Sequence, residues 1–213
     1  MKKVKDFSRY LVIGAILLLG QGSNSAWSAA NLARVDISSS PKDEINLEIG
    51  TCSPLARVTH ADWLSPEQRT RFVTAHFPAT TEWQEGFVTL TPSKSGNVSI
   101  TLMGVYLLED AAAKKIRCIQ IDFDEVQADS VVIKNGGFEK KENENRPASW
   151  SVSDLQTGNP PVDDSNRAKV EGGSAKAGSH FMRAWHNSRV SQSFFVEAKT
   201  PITIRFYYRL SEK

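Results

Sequence analysis

Ile202-Thr203-Ile204-Arg205-Phe206-Tyr207-Tyr208-Arg209-Leu210 is the stretch on which the fold turns. In an extended chain Ile202, Ile204, Phe206, Tyr208 and Leu210 share one face, and Arg205, Tyr207 and Arg209 share the other. A period of two sustained over this length is the pattern of a strand with one buried side. The alternation recurs outward from it. Val190, Gln192, Phe194 and Val196 form one set, and Ile119, Ile121 and Phe123 another, interleaved with Gln120, Asp122 and Asp124. Val98, Ile100 and Leu102 follow the turn signal Ser95-Gly96-Asn97; Val88 with Leu90, and Ile45 with Leu47 and Ile49, complete the series. Period-two runs broken by Gly, Pro, Asn and Ser clusters predict an all-β sandwich. One segment, Ser65 to Ala75, predicts a short helix with Ser65 as cap, Pro66 first and Gln68 as capping-box partner. Residues 139–169 are polar and charged and read as surface loops.

The N-terminus predicts the compartment. Lys2, Lys3, Lys5 and Arg9 precede an apolar run from Leu11 to Gly20, which is too short to span a bilayer. Small residues follow, and cleavage after Ser28 or Ala30 satisfies the small-x-small rule, so residues 1–28 read as a signal peptide and the protein as secreted, periplasmic or extracellular. Residues 1–28 hold four of the 26 basic and one of the 24 acidic residues, leaving 22 against 23, a net charge of −1. No basic excess survives to suggest nucleic acid, or a membrane after signal cleavage, as a partner. The remaining chain is long enough for a single β-sandwich over residues 29–213. An oxidising compartment permits a disulfide between the two cysteines, Cys52 and Cys118.

Catalytic motifs are missing from the sequence: there is no H-E-x-x-H, C-x-x-C or G-x-S-x-G, and no nucleophile paired with a base can be read. The expectation is a non-catalytic protein. If Met182 and Ala184 face the core, Phe181, Arg183 and Trp185 face outward; by the same phase Arg205, Tyr207 and Arg209 face outward on the strand after Pro201. Aromatic rings cover the apolar face of a sugar and guanidinium forks bond its hydroxyls, so Arg183, Trp185, Arg205, Tyr207 and Arg209 are the candidate ligand residues. Trp83 and Trp150 read as core or loop anchors, Trp63 as either anchor or contact, and His186 as structural in the first instance.

Four stretches carry a resemblance: NGGFE (residues 135–139), PASW (147–150), GGSAKAGSHFMRAW (172–185) and RVSQSFFVEAKTPITIRFYYR (189–209). Together they resemble the N-terminal half of jelly-roll carbohydrate-binding modules with the galactose-binding-like fold. TEWQEGFVTLTPSKSGNVSITLMGVYL (81–107) with IQIDFDEV (119–126) resembles their C-terminal half. The halves stand in reversed order, which implies either a circularly permuted single sandwich or pieces of two tandem modules, residues 31–134 and 135–213. The resemblance implies a polysaccharide or glycan ligand and a structural calcium held by Asp124 and Glu139, with Asp122 and Glu125 nearby. The fold also serves structural and adhesive roles, so protein partners in a larger extracellular assembly are the alternative.

Overall fold

The computed structural model describes residues 31–110, 115–155 and 160–212; the signal segment read at 1–28 lies outside them. In chain order the strands are β1 (Leu32–Ser39), β2 (Leu47–Cys52), β3 (Arg57–His60), β4 (Phe72–Pro78), β5 (Gln84–Pro92), β6 (Gly96–Met103), β7 (Tyr106–Asp110), β8 (Lys115–Cys118), β9 (Ile121–Ala128), β10 (Ser151–Asp154), β11 (Lys169–Gly172), β12 (His180–Ala184), β13 (Ser188–Val196) and β14 (Ile202–Leu210). Two antiparallel six-stranded sheets form a sandwich. The first runs β10-β13-β6-β1-β4-β3 and the second β11-β12-β9-β14-β5-β2. β7 and β8 pair as a separate hairpin between β6 and β9. Among the described residues no helix is long and apolar enough to cross a membrane.

The alternating positions fill the space between the sheets. Val35 and Ile37 of β1, Ile100 and Leu102 of β6, and Val73, Ala75 and Phe77 of β4 are buried from one side. Ile121 and Phe123 of β9, Val88 of β5, and Ile204 and Phe206 of β14 are buried from the other. The layers lock where Phe77 meets Phe206 edge to face at 5.0 Å, a favourable arrangement for two rings. Beside them the Tyr208 hydroxyl donates to the Pro78 carbonyl at 3.0 Å.

Both sheets draw strands from either side of residue 135. β13 pairs with β6, β12 pairs with β9, and β14 is hydrogen-bonded to β9 along one edge and β5 along the other. The NGGFE segment packs directly on β9. The Val126 N–H donates to the Gly136 carbonyl, and a Cβ at Gly136 would lie 1.9 Å from the Val126 carbonyl oxygen, so only glycine fits.

Two expectations are corrected. The helix expected over Ser65 to Ala75 is a single turn, α1 (Pro66–Arg69), and the Ser65 side chain makes no cap bond. Its second half is instead β4, because Phe72, Val73 and Ala75 pair with β1 and two of them bury in the core. Tertiary pairing outweighs a helix signal worth about 1 kcal/mol per cap. The expected disulfide does not form. Cys52 ends β2 at the edge of the second sheet, opposite Val88, whereas Cys118 ends β8 in the hairpin, opposite Tyr106.

Because each sheet needs strands from both halves to bury its inner face, residues 31–134 and 135–213 expressed separately are expected to lack a cooperative unfolding transition, and to regain one when mixed. A sigmoidal denaturant curve from either fragment alone would contradict shared sheets.

Candidate functional site

The face expected to meet a ligand is the outer side of the second sheet. The structure does put Arg183, Arg205, Tyr207 and Arg209 there, but it closes much of that surface with the protein's own side chains. Asp122, fully buried, takes Arg183 Nε at 2.8 Å and Arg209 Nε at 3.2 Å. Arg183 also reaches Glu171, itself paired to Lys169. Trp83 lies 4.5 Å from the Arg209 guanidinium and edge-on to Phe181, and its indole N–H donates to the Ser174 carbonyl. Arg209 is thereby buried. Trp185 is not on this face at all. β12 ends at Ala184, Trp185 starts a tight turn that bridges to Ser188, and its ring is fully buried beside His186. The strand phase that placed it outward stops one residue earlier. Arg205 is exposed and loosely paired to Glu85, and Tyr207 is half-covered by Lys176.

The carboxylates expected to hold calcium are occupied by amides. Asp124 Oδ2 accepts the Lys176 and Ala177 N–H groups at 2.8 and 3.1 Å, and Oδ1 accepts that of Glu125. Glu139 Oε1 accepts the Ser179 and His180 N–H groups at 2.8 and 2.9 Å, and Oε2 faces His180 Nδ1. A calcium ion requires convergent oxygens, whereas these two carboxylates meet N–H donors. No group of three or more His, Cys, Asp or Glu among the described residues comes together as a metal set. The donor set does not fit the ion: the amides of residues 176–180 fasten both acids. Gly178, at φ +67°, is needed there, since a Cβ would lie 2.3 Å from Glu139 Oε1. Burial pushes the Asp124 carboxyl up to about 6 against the pull of its three amides, with Glu125 adding repulsion.

The first sheet presents a different outer face. Across β6, β1, β4 and β3 the register aligns one row containing Met103, Arg34, His76 and Arg57, and on β13 Arg189 stands one residue before Val190, the partner of Leu102. The next row carries Ser191, Thr101, Asp36, Thr74 and Thr59, and below it lie Ser193, Ser99, Ser38 and Phe72. The Arg34 guanidinium forks onto Asp36 with bonds of 2.9 and 2.8 Å. Over this pair sits Trp63, 43% exposed, with the guanidinium 5.4 Å from its ring and Phe72 edge-on at 5.6 Å. At the other end of the first row His186 stacks on Tyr106 at 4.6 Å. The Thr74 hydroxyl and His186 Nδ1 are buried without a hydrogen-bond partner. Trp150, by contrast, is a buried anchor whose indole donates to the Lys134 carbonyl, and Trp83 is a lid.

Comparison with protein-family models, with curated proteins and with solved structures gave no match to this chain. The surface offers an exposed indole, guanidiniums and the partly or fully exposed hydroxyls of Ser38, Ser99, Thr101, Ser191 and Ser193, with Asp36 and Thr74 buried among them; aromatic rings and a few polar groups of this kind suit polar ligands with one flat apolar side. Of its residues only Trp63 and His186 stood out in the sequence. Arg34 and Asp36 could have been found in Ala33-Arg34-Val35-Asp36-Ile37, which alternates as strictly as β14. Arg189, His76 and Arg57 are united with them only by cross-strand register.

Burial, then the charges of Arg34 and Arg57, holds His76 down to about 4; burial, then Arg34 and Arg189, does the same to His186. Unfolded histidines take up protons near 6.5 and these folded ones do not, so both groups remove stability as pH falls from 6.5 towards 4. Asp124 opposes them in part, since its raised value favours the folded state on acidification. His186→Phe keeps a ring against Tyr106 and removes one titration. Its stability loss between pH 7 and pH 5, measured by denaturant unfolding, is expected to be about 2 kcal/mol smaller than wild type. An unchanged loss would show that His186 is not held neutral.

Proposed function

We propose that this chain is a secreted, non-catalytic carbohydrate-binding β-sandwich of the galactose-binding-like jelly-roll kind, and that its ligand lies on the outer face of the first sheet. The observation that carries the reading is Trp63. An exposed indole costs solubility unless it has a partner, and this one is held in place by Arg34 and by Phe72, whose cross-strand partner is Ser38. A pyranose ring laid on it would bury its C–H face on the indole and direct its hydroxyls to Arg34, Ser38 and the neighbouring side chains. Asp36, the one carboxylate in these three rows, is bonded to Arg34, which supports a binding rather than a catalytic role for this face. The two-sheet sandwich is compatible with a jelly roll, and the interleaving of the halves supports the permuted single-domain reading.

A second reading, adhesion to a protein in an extracellular assembly, is favoured by the free edge of β13. Beyond Ser191 that strand has lost its β10 neighbour, and an open cleft of about 840 Å³ runs beside it. Phe195 and Val132, 55% and 76% exposed, border the cleft. An open strand edge beside apolar side chains can accept an added strand.

A glycan array on the secreted protein, followed by titration of the best binder, separates the two. Trp63→Ala is expected to weaken binding at least about tenfold, the usual cost of truncating a central aromatic contact, with little change in the unfolding midpoint. Arg205→Ala and Tyr207→Ala are expected to leave affinity unchanged. The reverse pattern would place the ligand on the second sheet, and silence against all glycans would favour adhesion.

A further inference from the structure

Within that reading of the first sheet, we propose that the ligand is an anionic saccharide, whose carboxylate or sulfate is taken by Arg189 and Arg34 while its ring rests on Trp63. The first row carries the Arg34 and Arg57 guanidiniums, Arg189 of β13 lies near enough to interact with Arg34 and Asp36, and Asp36, in the next row, is the one carboxylate of the three rows. Asp36 is buried and already receives two bonds from Arg34. The Arg189 guanidinium is only partly exposed and makes no hydrogen bond among the described residues, although five donors project from it. A half-buried cation without a bonded counter-ion is costly, and a bound anion would complete it with a charge-assisted fork.

The neutral histidines say the same. His76 and His186 lie within reach of two arginines each, and positive charge is part of what keeps them unprotonated. The excess is local, because the chain after residue 28 carries a net charge of −1. It is also confined to one row flanked by hydroxyls, whereas a nucleic-acid surface spreads its basic residues along a backbone track. Arg57 at the β3 edge extends the row by one more exposed cation, which suits a second acidic residue of a polymer.

The test is titration of the full secreted chain with a polyuronate, a sulfated polysaccharide, a neutral polysaccharide, sodium sulfate and single-stranded DNA. The uronate or the sulfated polymer is expected to bind at least about tenfold more tightly than the neutral one, with affinity falling as salt rises. Whichever of the two binds identifies the anion as carboxylate or sulfate. Arg189→Gln should lose about tenfold to a hundredfold of that affinity, the worth of a charged hydrogen-bond pair, and Arg189→Lys, which keeps the charge without the fork, should recover only part. Arg57→Gln, at an exposed position, is the variant least able to disturb folding and should weaken the polymer. Equal binding of neutral and acidic glycans, unaffected by Arg189→Gln, would overturn the anionic assignment and leave the carbohydrate reading standing. Equal binding of DNA, or full competition by sulfate at the same charge concentration, would reduce the site to a general anion surface and overturn it as well. Silence against every glycan would end both readings.

Discussion

β14 is gripped on both edges by strands from the other half of the chain, β9 on one side and β5 on the other. That single insertion decides most of what surrounds it. Its inner residues Ile204, Phe206 and Tyr208 complete the core against β4, with Phe206 on Phe77 and the Tyr208 hydroxyl on Pro78. Its outer residue Arg209 is delivered to Asp122 on the neighbouring strand, where Arg183 arrives from β12. A buried carboxylate between two guanidiniums is stable only if water is kept out and every charge is bonded. Trp83 and Phe181 supply the cover, and the loop that receives the Trp83 indole is the one whose amides bind Asp124 and Glu139. Much of the second sheet's outer face is therefore closed as a consequence of β14's position, with Arg205 left exposed at its margin.

The long alternating strands were legible because each buries one side against an apolar layer; β5, β6, β9, β13 and β14 all follow their apolar residues. Three things were not. α1 carries a sound start signal, yet Phe72 and Val73 gain more from pairing with β1 than from extending a helix. Trp185 continues the alternation of β12 on paper, but the turn to Ser188 redirects it inward. Arg183 and Arg209 face outward as the phase requires, and facing outward did not mean facing solvent, because Asp122 lies between them across two strands. Cross-strand partners far apart in sequence leave no local trace, which is also why the row of Arg34, His76 and Arg57, with Arg189 beside it, was invisible and why the cysteines could be paired only in thought.

The two faces show how the same residue types serve opposite ends. On the second sheet guanidiniums and indole close on a central carboxylate and cover it. On the first sheet the carboxylate satisfies Arg34, and the Trp63 indole lies against that same guanidinium. On the second sheet Asp122 and Glu171 hold Arg183, Arg209 and Lys169 in bonded pairs, whereas on the first the bonds of Asp36 go to Arg34.

The most direct measurement of where a ligand sits is a nitrogen–proton NMR spectrum of indole and arginine Nε–H groups, recorded while an acidic oligosaccharide is added. The account requires the Trp63 indole and the Arg34 and Arg189 Nε–H signals to shift together and saturably, with those of Arg183 and Arg209 unmoved behind their salt bridges. Shifts confined to Arg205, Arg209 and Trp83, with Trp63 and Arg189 unchanged, would contradict it.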